Sequence, residues 1–169
     1  MKIVIGIDPG EYTGYALSID GKLVKLETLT FWQAIKELER EGVKMFKEYA
    51  YRHEMIHQAK KVTGEPLTMR VYIEDPEQNK TTFLVKNGTH RPNDVRRLMK
   101  ISRDVGRNSQ DARRLIEYAE SQGLEVIKIR PNGRSLSKAN AETFQMYYPY
   151  WTKRTNQHER DAALMIFGR

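Results

Sequence analysis

Two β-branched runs in this chain each end in an acid just ahead of a proline, and that repeated punctuation narrows the folds open to it. The first, Ile3-Val4-Ile5-Gly6-Ile7, reads as a buried strand that delivers Asp8 to its end, where Pro9 stops strand pairing and Gly10 permits a turn. The second, Arg70-Val71-Tyr72-Ile73, ends in Glu74-Asp75-Pro76. A carboxylate at the end of a buried strand is costly unless something binds it. The ordinary alternative at each place is a polar strand terminus, since Asp is common in turns. Gly10 and Gly14 are expected to keep the turn after Asp8 tight.

Between these runs, residues 12–19 and 22–29 read as strands joined by Asp20-Gly21, a two-residue hairpin signal, so the chain opens with a three-stranded antiparallel meander. From 31 to about 61, Ile35, Leu38, Val43, Phe46, Tyr49 and Ile56 follow helical spacing, with Gly42 a point of breakage or bending. Residues 77–92 read as a loop. Helix resumes near Asn93 with a break expected around 106–109, and Gly123 ends it. A fifth strand follows at 124–129, stopped by Pro131-Asn132-Gly133. Ser137 is expected to cap a helix reaching about Tyr147, and a last helix is expected over 156–167.

At 169 residues the chain is one domain's worth, expected to span 1–169 as a unit. No apolar run approaches the roughly 20 residues of a membrane span, and Met1-Lys2 leads straight into a strand with no export-type apolar region. A cytoplasmic location is therefore expected, with no membrane partner. The absence of cysteine excludes disulfides, thiolate zinc sites and thiol nucleophiles. Net charge is +7, and it is concentrated: from Gln78 to Arg107, eight Lys or Arg stand against two Asp, six of the seven excess charges. Lys80, Arg96, Arg97, Lys100, Arg103 and Arg107 belong to that stretch. A solvated basic face is the bland reading; a polyanionic partner, nucleic acid, is the favoured one.

Two motifs compete for a metal. His53-Glu54-Met55-Ile56-His57 satisfies H-E-x-x-H on a helix, with Glu77 at a tolerable distance for a third zinc ligand, but Lys60 and Thr63 stand where the extended protease motif needs glycine and histidine. An ordinary polar helix face is favoured there. Near the C-terminus, His158 and Asp161 are three apart and share a helix face, ahead of apolar Ala162, Leu164, Met165 and Phe167. Asp8, Glu74, His158 and Asp161 can then converge on one rim of a sheet. Hard oxygen donors without thiolates favour Mg²⁺, with Mn²⁺ plausible because of His158. Two such ions about 4 Å apart suit phosphodiester cleavage by an activated water.

Asp8-Pro9-Gly10 with Thr13-Gly14-Tyr15, then Ile73-Glu74, then His158-x-x-Asp161-Ala162-Ala163, in that order along the chain, resembles the RuvC-type Holliday junction resolvases of the RNase H-like superfamily. That resemblance implies an α/β fold with a five-stranded mixed sheet, three antiparallel strands then two parallel ones, flanked by helices. It implies a metal site at Asp8, Glu74, His158 and Asp161, the third position being Asp in many members and His in some. The family's junction-centre aromatic would fall at Phe83. The loop and the following helix look more like compact phage or prophage versions. The implied activity is Mg²⁺-dependent cleavage of four-way junctions by a homodimer, with Tyr147, Tyr148, Tyr150 and Trp151 serving either the dimer interface or internal packing. The other readings are an RNase H-like nuclease acting on other branched DNA or on RNA/DNA hybrid, an actin-like ATPase, for which the chain is short, and a basic DNA-binding module without catalysis.

Overall fold

The computed structural model describes residues 1–57, 68–78, 92–131 and 140–169. Its strands are β1 (Lys2–Asp8), β2 (Thr13–Ile19), β3 (Lys22–Leu29), β4 (Thr68–Glu74) and β5 (Glu125–Ile129). Its helices are α1 (Phe31–His57), α2 (Pro92–Ser121), α3 (Ala141–Tyr147) and α4 (Gln157–Met165), with a 3₁₀ turn at Pro76–Gln78. The strands form one sheet in the order β3-β2-β1-β4-β5. β1 pairs antiparallel with β2 and parallel with β4, β2 pairs antiparallel with β3, and β4 pairs parallel with β5. This is the expected five-stranded mixed sheet, three antiparallel strands then two parallel ones, flanked by helices.

Strand alternation divides the core in two. Ile3, Ile5 and Ile7 of β1 and Met69, Val71 and Ile73 of β4 face Leu38 of α1 and Leu115, Ile116 and Ala119 of α2. Val4 and Tyr72 face the other way, against Phe144 and Tyr148 and against Ala162, Ala163, Leu164 and Ile166 in and just after α4. Because side chains alternate with period two, Asp8 and Glu74 fall on the same face as Val4 and Tyr72. That face is the one α4 covers. The sheet's ladder therefore decides that both acids meet the helix carrying His158 and Asp161.

Two expected breaks are absent. α1 runs through Gly42 and α2 through Gly106 without interruption, and a Cβ at either glycine would meet nothing within 4 Å. A single exposed helical glycine costs only about 1 kcal/mol, which a helix anchored by a buried face absorbs. Ser137 lies outside the described residues; the N-cap of α3 is Asn140, whose side chain accepts a hydrogen bond from the Thr143 amide at 2.8 Å.

The aromatic cluster packs within the fold. Tyr148 is buried and its hydroxyl donates to the Ala163 carbonyl at 2.7 Å, while Tyr147 and Tyr148 both meet the Phe167 ring edge-on. The Tyr150 hydroxyl accepts from the Leu23 amide at 2.8 Å, tying the segment to β3. Tyr148→Phe removes one buried hydrogen bond but leaves the Ala163 carbonyl its partner at the Ile166 amide. Thermal unfolding should show a loss of about 1 kcal/mol, or roughly 2–4 °C.

Candidate active site

The site lies where β1, β4 and β5 end and β2 begins. Asp8 is the last residue of the central strand, in register with Gly14 of β2, and Glu74 ends the neighbouring parallel strand. Asp8 thus stands between two strand ends, with its side chain 14 % exposed. α4 supplies the remaining groups from above.

The close approach of α4 rests on glycine. A Cβ on Gly14 would lie 2.0 Å from the His158 carbonyl oxygen, and one on Gly6 would lie 2.2 Å from that of Ala162. The helix backbone therefore sits directly on the sheet, one turn apart at the two contacts, which no other residue type permits at positions 6 and 14. Gly10 has another environment: its Cβ would make only ordinary contacts, at 3.6 Å and beyond. The tight-turn expectation for Gly10 and Gly14 is thus replaced by a packing role for Gly14, because the constraint comes from a distant helix rather than from the turn.

A capping box fixes where α4 starts. The Asn156 side chain accepts from the Glu159 amide and the Glu159 carboxylate accepts from the Asn156 amide, both at 3.0 Å. Glu159 Oε1 also accepts from Thr28 Oγ1 at 3.1 Å, which anchors the helix start to the end of β3. From that fixed origin, His158 and Asp161 are presented on one face.

His158 meets Asp8 as a result, and Glu74 and Asp161 lie near enough to feel the Asp8 charge. His158 Nδ1 is 2.9 Å from Asp8 Oδ2, and Gln157 Nε2 donates to Asp161 Oδ1 at 2.7 Å. Burial, then the charges of Asp8 and Asp161 and a hydrogen bond with Asp8, push the Glu74 carboxyl up to about 7. Asp161 is likewise pushed up to about 7, by burial first and the Asp8 charge second, against the opposing Gln157 hydrogen bond and the His158 and Arg160 charges. The Asp8 contact raises His158, and burial opposes it. Two half-buried acids that carry the added charge of Asp8, and for Glu74 also that of Asp161, form a site short of positive charge.

Among the described residues, no group of three or more His, Asp or Glu is already arranged to hold a cation. The donor set nonetheless fits a hard divalent ion. It offers carboxylate oxygens and one imidazole with no thiolate, and the burial and negative charge that raise Glu74 and Asp161 are what such an ion would relieve. With its side chain 45 % exposed, His158 leaves the place open to solvent.

The predicted basic residues fare unequally. Lys80 and Phe83 lie outside the described residues; Arg96 and Arg97 fall on the backbone of α2, but their side chains are not among those described. Lys100, Arg103 and Arg107 are exposed, and their spacing places them on one helix face. The 30 residues of α2 span about 45 Å, against about 23 Å for a seven-residue strand, and its C-terminus leads into the start of β5. Its N-terminal half therefore rises past the strand ends that carry the acids. Arg107 reaches Glu11 at 3.6 Å, and Asn108 lies by Gly10.

The H-E-x-x-H stretch is elsewhere. His53 and His57 occupy the far end of α1, about 33 Å or more along the helix from its start. Glu77 pairs with Arg113 at 2.5 Å. Gln157, Thr28 and Gly6 also shape the site, through a hydrogen bond to Asp161, an anchor for Glu159 and the close approach of α4. A glycine inside an apolar strand was a readable sign of close backbone approach, and Asn156-x-x-Glu159 a readable capping box; nothing in the sequence pointed to Thr28.

No family model matches this chain, and no curated protein matches it. Among solved structures, it is similar to T. thermophilus RuvC in complex with a Holliday junction substrate, at 19% sequence identity and a TM-score of 0.43, over 98% of this chain and 90% of that one.

Proposed function

We propose that residues 1–169 act as one nuclease domain that uses Mg²⁺, or Mn²⁺, to cut branched DNA, four-way junctions in the first instance. The observation that carries this reading is the meeting of Asp8, Glu74, His158 and Asp161 at one sheet end, beneath an overhanging helix with a basic face. Asp8, standing between the other groups, is suited to be shared by two ions, with Glu74 and Asp161 each fixing one. Such ions, when bound, supply Lewis-acid polarisation of the scissile phosphate and a water acidic enough to attack it. His158 is placed to ligate or to orient that water, and its contact with Asp8 holds the imidazole in position meanwhile. Arg96, Arg97, Lys100, Arg103 and Arg107, with Lys80, would neutralise backbone phosphates, and Phe83 would work at the junction centre. A homodimer would present two such rims for paired nicks.

One cleavage panel tests the proposal. A four-way junction, a flap, a linear duplex and an RNA/DNA hybrid are each incubated with Mg²⁺, with Mn²⁺ and without metal. Junction cleavage that needs metal is the expected result. Preference for flap or hybrid would move the substrate and keep the chemistry. Binding without product at any metal concentration would leave a DNA-binding module.

The metal reading also carries a prediction about pH. Without metal, the raised carboxyls favour the folded state while they hold their protons. That contribution is full below their ordinary values of 4.5 and 3.8 and is lost as the pH rises to about 7. His158, also raised, acts in the same direction. In EDTA these groups should lower the melting temperature between about pH 5 and pH 8, and excess Mg²⁺ should raise it more at the higher pH. An Mg²⁺ effect equal at both pH values, or absent, would count against a metal at this rim.

A further inference from the structure

The carboxylate rim continues sideways into a feature that the cleavage chemistry does not use. Thr13 of β2 is in register with Leu29 of β3, so Tyr12 and the Thr30–Trp32 segment sit at the same end of the sheet as Asp8. Tyr12 is 61 % exposed and Trp32 is 71 % exposed. Strands are spaced about 4.8 Å apart, which sets the end of β3 about 10 Å from the end of β1. That is within reach of nucleotides flanking a phosphate held at Asp8.

Trp32 is exposed but firmly placed. Thr30 and Gln33 form a reciprocal cap around it: the Thr30 amide donates to Gln33 Oε1 at 2.8 Å, and the Gln33 amide donates to Thr30 Oγ1 at 3.3 Å. The Phe31 ring, which packs on the core, meets the indole edge-on at 5.2 Å between centroids. The indole face is left for something else. On the opposite face of the sheet, the layer that holds α3 and α4, a separate open groove of about 900 Å³ is lined by Lys153, Arg154, Arg160 and Glu159, and Asn156 at its edge donates to Thr28 of β3. Exposed aromatic faces at the same sheet end as the acids, about two strand spacings away, are what a single-strand stacking platform needs.

The geometry points to Trp32, with Tyr12, as a stacking platform for unpaired bases of the branched DNA that flank a phosphate held at the Asp8 end of the sheet. This rests on the nuclease reading above. It assigns that site a preference for DNA with bases already freed from a duplex, because a paired base must first be unstacked at a cost. Either face of any base suits an indole, so the platform adds affinity without reading sequence.

The chain has two tryptophans, and Trp151 buries its indole nitrogen without a partner, so Trp151→Phe leaves Trp32 as the sole indole at little structural cost. In EDTA, adding a four-way junction with an unpaired centre to this variant should quench its emission, and a linear duplex bound to the same extent should quench it less. Trp32→Ala should weaken junction binding roughly 5- to 150-fold with an unchanged melting temperature, and Trp32→Phe should restore most of it. If the junction binds and is cut while the Trp32 emission and the Trp32→Ala affinity stay unchanged, the platform is refuted and the nuclease reading stands. If no branched DNA binds at all, both fall.

Discussion

Asp8→Asn and Asp161→Asn should each reduce metal-dependent cleavage by about a thousandfold or more, while junction binding persists or tightens. An ion that contributes several kcal/mol of charge stabilisation in the transition state is worth about that factor, and both variants remove an anionic ligand while keeping its shape. Asp8 is the more severe case. It ends the central strand, contacts His158 at 2.9 Å and raises Glu74, so all the other groups of the site are referred to it. Binding should survive because the basic face of α2 is separate from the acids, and losing a negative charge removes repulsion against phosphate. Misfolding is distinguished by melting temperature. In EDTA Asp161→Asn should be at least as stable as the parent, since burial and the Asp8 charge oppose that carboxylate and the Asn oxygen can still accept from Gln157. Wild-type cutting by either variant would overturn the assignment of these ligands.

The second large effect is mechanical. Gly14→Ala would put a methyl group 2.0 Å from the His158 carbonyl oxygen and 2.5 Å from its carbon, where backbone faces backbone and no side chain can swing aside. α4 must lift, and Ala162, Ala163 and Leu164 lift with it from the sheet. Overpacking of this kind costs about 3 kcal/mol, toward the upper end of its usual range, and should lower the melting temperature by roughly 6–12 °C. Whatever remains folded should cut poorly, because His158 and Asp161 move away from Asp8. Gly6→Ala is expected to behave alike, at 2.2 Å from the Ala162 carbonyl. Gly10→Ala, with contacts no closer than 3.6 Å and no positive φ, is the contrasting control and should change little. Equal melting temperatures for the substitutions at 14 and 10 would show that α4 does not depend on the glycine contact.

Much of this architecture was legible because short-range chemistry wrote it. The two acid-then-proline strand ends, the Asp20-Gly21 hairpin and the amphipathic periods of α1 and α2 each depend on neighbours in sequence. The breaks that Gly42 and Gly106 predict do not occur, because a local propensity of about 1 kcal/mol yields to a buried face gathered from the whole helix. The cap of α3 fell to Asn140, three residues past the predicted Ser137. For the Tyr147–Trp151 cluster the sequence leaves packing and interface open, and the structure packs Tyr148 inward on Ala163.

By itself, the sequence determined the kinds of group available: hard oxygen donors without a thiol, an excess of positive charge in one stretch, and strands short enough to end in acids. Within each strand it also set the alternation, but that Asp8 and Glu74 share one face follows from the β1–β4 register, Gly6 opposite Tyr72 and Ile7 opposite Ile73. Only the tertiary structure decided that α4 lies on that face, that it lies close enough for His158 to reach Asp8, and that Trp32 shares the same rim. The physical reason is distance along the chain. Some 150 residues separate Asp8 from His158, and what brings them together is backbone contact at two glycines with a helix whose identity no local pattern names.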